Sequence, residues 1–413
     1  MAIKRRRLGT TGLSVSEICL GTMTFGSHAD EATSVRILDK AFDAGVDFLD
    51  VAEVYPVPPK PEYAGQSEVI VGKWLKGKPR DSIVVATKVA GPGGGWFVPP
   101  VRGGRTSLDA HHIERAVEGS LKRLGTDYID LYQTHWPDPD LPIEVTLEGL
   151  DRVVRAGKVR YVGASNETAY GLTKALYASQ GTGLPKYETI QNNFSLLNRR
   201  FEDELANVCR REKVSLIPYS PIGGGVLSGK YNGGKWPEPA RFSTYRNNPA
   251  RGQAMTKRFV NDKTLATTER ISKLAAELSV SPVTFAVAWT LSHDFVGSSI
   301  IGATRPEQLD EILAASELKL SPELLGRVDE ITREILYPMG EVRGDASSRK
   351  ADARLARDGE RRPASGDVPF VFRARVPVRG HADAETLAKR RALVLVTEGP
   401  PLLQDRNHRL GQA

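Results

Sequence analysis

Cysteine is almost absent from this 413-residue chain: Cys19 and Cys209 are the whole complement. Two cysteines exclude a disulfide-stapled scaffold and a cysteine-built metal site. Long apolar runs are missing as well. No stretch approaches the roughly 18 consecutive apolar residues of a membrane span. The basic start MAIKRRRLGTTG leads into no apolar segment of the kind a secretory signal requires. A reducing, cytoplasmic setting without membrane contact is the expectation. A charge surplus is lacking too, where it would matter. The chain carries a net +7, but residues 341–413 hold 15 Lys and Arg against 10 Asp and Glu. That segment accounts for +5 and leaves +2 for residues 1–340. The main body is nearly balanced and gives no reason to expect a nucleic-acid partner.

What is present is an alternation. Short β-branched runs predict strands at 17–20, 47–50, 83–87, 129–133, 161–164, 189–191, 216–219 and 299–301. Helical patterns fall between them, at 31–44, 67–76, 111–124, 146–156, 169–179, 202–212, 264–278 with 282–292, and 306–315. Strands joined by crossover helices are parallel, and eight of them fit an α/β fold closed as a (β/α)8 barrel. The leading RRRLGTTGLSVSE reads as a small hairpin ahead of the barrel. Two long connections, 89–109 and 221–262, break the rhythm and are expected to be functional loops. The rhythm ends near Pro338. Residues 339–413 are rich in Arg, Ala, Asp and Gly with only Phe370 and Phe372 as aromatics, so they are read as a separate, basic, poorly ordered tail.

In a parallel barrel the site lies at the carboxyl ends of the strands. Three successive predicted strands end there on Asp50, Lys88 and His135, and Tyr55 follows the first by five residues. A free phenol has a pKa of about 10, too high for a good acid at neutral pH, and a neighbouring ammonium lowers it. Asp50 would orient Lys88, His135 would hydrogen-bond a carbonyl oxygen, and Tyr55 would protonate it. A hydride must then reach the carbon, which requires a nicotinamide.

The segment GGGVLSGKY satisfies G-x-x-x-x-G-K through Gly224, Gly229 and Lys230, but Tyr231 stands where a Mg²⁺-binding Ser or Thr belongs. It is therefore read as a phosphate cradle of another kind, its glycines offering N–H groups and Lys230 a charge. No second acidic metal motif supports a kinase. His111 and His112 are adjacent, but without further ligands at metal spacing no metal is expected.

The segments FLDVAEVYPVPP, ATKV, LYQTHWPD, GASNET, IQNNFSLLNR and PYSPIGGGVLSGKY together resemble the aldo-keto reductases, and in detail the bacterial Tas-type NADP(H)-dependent branch, over roughly residues 1–338. The resemblance implies a (β/α)8 barrel that binds an extended cofactor. In keeping with it, no G-x-G-x-x-G follows a strand. It implies the tetrad Asp50, Tyr55, Lys88 and His135. It implies a nicotinamide held by Ser165, Asn166 and Gln191 and stacked on Tyr219, and a pyrophosphate approached by Ser220, Pro221, Leu227, Gly229 and Lys230. Gly302, Thr304, Arg305, Gln308 and Glu311 match the adenosine-phosphate segment, at a helix start suited to anions. Where the family usually has Asn, this chain has Ile312. Trp136, Trp96, Phe97 and Met23 are candidates for an apolar substrate wall. The activity implied is NADPH-dependent reduction of aldehydes and ketones, with no oligomeric state indicated. The alternative is a cofactor-binding regulatory subunit like the potassium-channel β subunits, which resemble the same barrel.

Overall fold

The computed structural model describes residues 3–93, 99–248, 251–335 and 337–339. The chain divides into two units, Met1–Leu355 and Ala356–Ala413; the second lies outside the described residues. Two short antiparallel strands, β1 (Arg5–Arg7) and β2 (Ser14–Ser16), form the expected hairpin. Eight parallel strands follow: β3 (Ile18–Gly21), β4 (Phe48–Asp50), β5 (Val84–Val89), β6 (Ile129–Thr134), β7 (Val159–Ser165), β8 (Tyr187–Gln191), β9 (Ser215–Leu216) and β10 (Ser299–Ile301). They pair in sequence order, with β10 returning to β3.

The seam between β9 and β10 is the thinnest part. Leu216 bridges Val296, and Ile300 N–H donates to the Pro218 carbonyl at 2.9 Å. The strand expected to reach Tyr219 stops at Leu216 because Pro218 has no N–H for the ladder.

The barrel interior is packed rather than hollow. Cys19, Phe48, Ala86, Leu131, Ile217 and Ile300 face inward and meet Leu8, Leu13 and Val15 of the hairpin region. The hairpin plugs the amino-terminal end: Gly9 N–H donates to Ser215 Oγ at 2.8 Å and Thr10 N–H to Glu188 Oε2 at 2.7 Å, both acceptors lying at strand starts. The opposite, carboxyl end is left to polar residues.

Helices begin where the sequence supplies a side-chain cap. Asp30, Asp109, Thr168, Asn261 and Ser281 each accept an N–H from the first turn of helices Glu31–Asp43, Ala110–Leu124, Ala169–Thr182, Asp262–Glu277 and Pro282–Leu291. His112 turns back onto its own cap, with Nδ1 2.8 Å from Asp109 Oδ2. Three helices were not foreseen. Arg241–Tyr245 and Arg251–Phe259 sit inside the connection expected to be structureless. They are short, and Arg251–Phe259 carries few apolar residues, so the 3.6-residue period is barely written. Pro322–Glu334 is the last described helix, with Ser321 capping and Pro322 at the first position. Beyond it Asn261 Nδ2 donates to Pro338 O at 3.1 Å, and Met339, itself buried, donates its N–H to Leu197 O at 3.3 Å. Among the described residues no single helix is long and apolar enough to cross a membrane.

Candidate active site

Period-two alternation along the strands brings Asp50, Lys88, Gln133, Ser165 and Gln191 to one rim. Lys88 is fully buried and spends all three of its donors. Its Nζ donates to Asp50 Oδ1 at 2.5 Å, to Val51 O at 2.8 Å and to Tyr55 OH at 3.3 Å. Burial alone would push the ammonium down, but Asp50 and then Tyr55 outweigh it, and the net shift is upward. The other Asp50 oxygen accepts from Gln191 Nε2 at 2.9 Å and Gln133 Nε2 at 3.2 Å. Gln133 was missed by sequence reasoning. Its signal was its place near the end of β6, two residues before His135.

Tyr55 departs from expectation in one respect. Lys88 does favour its phenolate, but burial is the larger effect and Asp50 adds to it, so the phenol lies above its ordinary value. His135 follows β6, its N–H bonded to Val89 O at 2.9 Å. Its ring meets Tyr55 edge-on, with centroids 5.7 Å apart. Burial, then Lys88, holds the imidazole well below its usual range. It is therefore neutral at pH 7, and its Nδ1 is buried with no hydrogen-bond partner in the described structure.

The residues expected at the nicotinamide cluster together. Asn166 adopts a left-handed backbone (φ 54°) and donates from Nδ2 to His135 O at 2.9 Å. Its Oδ1 accepts from Tyr219 OH at 2.8 Å. Ser165 Oγ donates to Gln191 O at 2.8 Å. Burial raises the Tyr219 phenol to about 12, against the opposing charge of Arg258.

The glycine loop differs from expectation. The N–H groups of Gly223, Gly225, Leu227 and Gly229 are bonded within the loop, so they do not form an open amide cradle. Leu227, expected near the pyrophosphate, is wholly buried in the core. Tyr231 is a core residue too, packed on Trp236 and Phe242. The glycines instead make room. Gly225 has φ +97°, and a Cβ there would come within 2.9 Å of Lys230 Nζ. After β10 the expected helix starts two residues late, at Gln308. The Gln308 Oε1 already accepts from Thr304 N at 2.8 Å and Arg305 N at 3.2 Å, so those two amides are engaged. Gly302 is exposed in the same segment, and Glu311 is exposed on the helix. Ile312 is buried in the core, which explains why an apolar residue is accommodated there.

Charge is what marks this rim for a phosphate-bearing ligand. The Lys230 ammonium is pushed down by burial and by the charges of Arg241 and Arg305. Among the described residues none of the three has a carboxylate partner within ion-pair distance. Cations drawn together without an anion favour one arriving from outside. Arg241, on one of the unforeseen helices, was not identified from the sequence. On the other side of Tyr55, Met23, Val57, Val101 and Trp136 pack against Ala52, Val54 and Ala90. Trp136 Nε1 donates to Pro92 O at 2.7 Å. Trp96 and Phe97, named with them, lie outside the described residues.

The (β/α)8 barrel thus carries an acid, an ammonium, a phenol and an imidazole on its carboxyl rim. The chain belongs to the aldo/keto reductase family, whose sequence profile matches residues 17–333. It is 37% identical to Protein tas of Escherichia coli over 80% of this chain and 98% of that protein. It is 34% identical to a putative voltage-gated potassium channel subunit beta of Schizosaccharomyces pombe, over 79% of this chain and 92% of the relative. A versiconal hemiacetal acetate reductase of Aspergillus parasiticus is 33% identical over 78% of this chain and 95% of its own length.

Proposed function

We propose that this protein is an NADPH-dependent reductase of small or medium aldehydes and ketones. One observation carries the reading: a single buried Lys88 bonded at once to Asp50 and to the Tyr55 hydroxyl, beside a neutral His135. The nicotinamide, when bound, supplies hydride to the carbonyl carbon. The residues of this chain do the rest. Neutral His135 has one ring N–H with which to hold the carbonyl oxygen. Tyr55 donates its proton to that oxygen, and Lys88, kept charged by Asp50, stabilises the phenolate left behind. Ser165, Asn166, Gln191 and Tyr219 would hold the nicotinamide end, and Ser220, Pro221, Gly229 and Lys230 the phosphates. Lys230, Arg241 and Arg305 favour the additional phosphate that distinguishes NADPH from NADH. The catalytic unit we propose is residues 1–338 with Met339 docked against it. The setting we propose is the cytoplasm, in keeping with two buried free thiols.

Following NADPH consumption over an aldehyde panel tests this directly. Tyr55→Phe keeps the ring and removes the proton donor. The variant is expected to lose about 10²-fold or more in kcat while binding NADPH normally. The likeness to a channel β subunit favours a second reading, a cofactor-binding regulatory subunit. Tight NADPH binding with no carbonyl turnover in the wild type would support it over the first.

A further inference from the structure

Glu53 and Arg102 take no part in the chemistry above, yet both are withdrawn from water beside it. Glu53 sits in the turn between Asp50 and Tyr55, and its side chain is 3% exposed; Arg102 comes from the connection after β5 and is 12% exposed. The two form an ion pair. Both also hold the backbone of the same residue, Ala90, one on each side of its Cα. Ala90 N–H donates to Glu53 Oε1 at 2.6 Å, and Arg102 Nη2 donates to Ala90 O at 3.0 Å. The Glu53 N–H reaches toward Lys88 O at 3.5 Å. A closed ring of carboxylate, guanidinium and the Ala90 backbone thus ties the exit of β4 to the exit of β5.

The two exits carry the reacting pair. Tyr55 follows Glu53 by two residues, and Lys88 precedes Ala90 by two. The Lys88–Tyr55 contact, 3.3 Å, is the longest of the three that Lys88 makes. Hydrogen bonds weaken steeply with distance and angle, and a displacement of about 1 Å in a reacting group can lower a rate by about 10². Arg102 carries a second mark. Its φ is +50°, a left-handed conformation that a non-glycine residue holds only when its surroundings impose it. Its neighbour Val101 rests on the cluster that contains Tyr55 and Ala90.

We propose that Glu53 and Arg102 are positioning residues, clamping the Ala90 backbone by its N–H and its C=O and thereby setting the separation of Lys88 from Tyr55. The kinetic consequence rests on the carbonyl-reduction reading; the clamp itself does not. Arg102→Met removes the grip, and the paired variant E53Q/R102M does so without leaving a buried carboxylate unpaired. Both are expected to lower kcat by about 10-fold or more, with aldehyde KM and NADPH Kd, the latter from cofactor fluorescence, changed less than about threefold. Arg102→Lys, which keeps the charge, is expected to recover most of the loss. In a Tyr55→Phe background the same changes should lower kcat by less than about twofold, because they act through the missing hydroxyl. Unchanged kcat, or an equal loss in both backgrounds, overturns the proposal. If the wild type binds NADPH but reduces no carbonyl, the functional reading fails and the clamp is judged by NMR. The Tyr55 resonance of ¹³Cζ-tyrosine protein, identified by its loss in Y55F, should move in E53Q/R102M in the same direction as in K88M. A resonance that stays in place overturns the clamp.

Discussion

Asp50 and Lys88 are both almost fully buried, and an isolated ion pair in that position is a doubtful source of stability. What makes it tolerable is that both Asp50 oxygens and all three Lys88 donors have partners: Gln133 and Gln191 serve the far Asp50 oxygen, and Val51 O and Tyr55 OH take the remaining Lys88 protons. At the other edge of the site the residues are left unsatisfied. Lys230, Arg241 and Arg305 stand together with no carboxylate partner among the described residues, so a bound phosphate would relieve a repulsion as well as form contacts. Arg241→Ala is expected to weaken NADPH binding by about 10–100-fold, the worth of one or two charge-assisted hydrogen bonds. NADH binding should change far less, which fluorescence titration of both cofactors would resolve. Equal weakening for the two would separate Arg241 from the 2′-phosphate.

Between elements the tightest fit is at β7 and β8. A Cβ on Gly163 would come within 2.2 Å of Thr189 Oγ1 and 3.1 Å of Thr189 O, so the β7 backbone uses a glycine to let the neighbouring strand's hydroxyl in. That hydroxyl has no hydrogen-bond partner in the described structure. Gly163→Ala should therefore destabilise the barrel by about 1–3 kcal/mol through overpacking. Adding Thr189→Ala removes the closer obstacle and should recover part of the loss. Chemical denaturation of the two single variants and the double would measure it, and purely additive losses would show that the contact is not the cause. The same scale explains the clamp, which acts by fixing one strand exit against the next rather than by touching a substrate.

For the whole molecule, the buried site also sets how stability responds to pH. Burial, then Lys88, holds the folded His135 pKa well below the ordinary 6.5. Between those two values the unfolded chain binds the proton and the folded one does not, so stability is lost as pH falls below 6.5. Glu53 works in the other sense. Burial raises its pKa from 4.5 despite Arg102, so its contribution is lost as pH rises from 4.5 through the folded value. Comparing His135→Gln with the wild type isolates the first effect: the wild type should lose more Tm between pH 7 and pH 5 than the variant. Parallel losses would mean that His135 is protonated in the folded protein.

The sequence by itself determined the alternation of eight strands with helices, the hairpin before them and the order of Asp50, Tyr55, Lys88 and His135. Each of these is written locally: period-two and 3.6-residue patterns mark the elements, and strand ends mark the rim. Only the tertiary structure decided the rest. Gln133 and Arg241 join the site through neighbours 83 and 11 residues away in the chain, Asp50 and Lys230, which no local pattern records. The amides of the glycine loop and of the turn after β10 were expected to be free, yet nearby acceptors claim them. Burial, a property of the assembled barrel, overrode the charge of Lys88 in setting the Tyr55 phenol. Local order follows from the covalent chain, whereas desolvation and long-range pairing exist only once the strands have closed around the site.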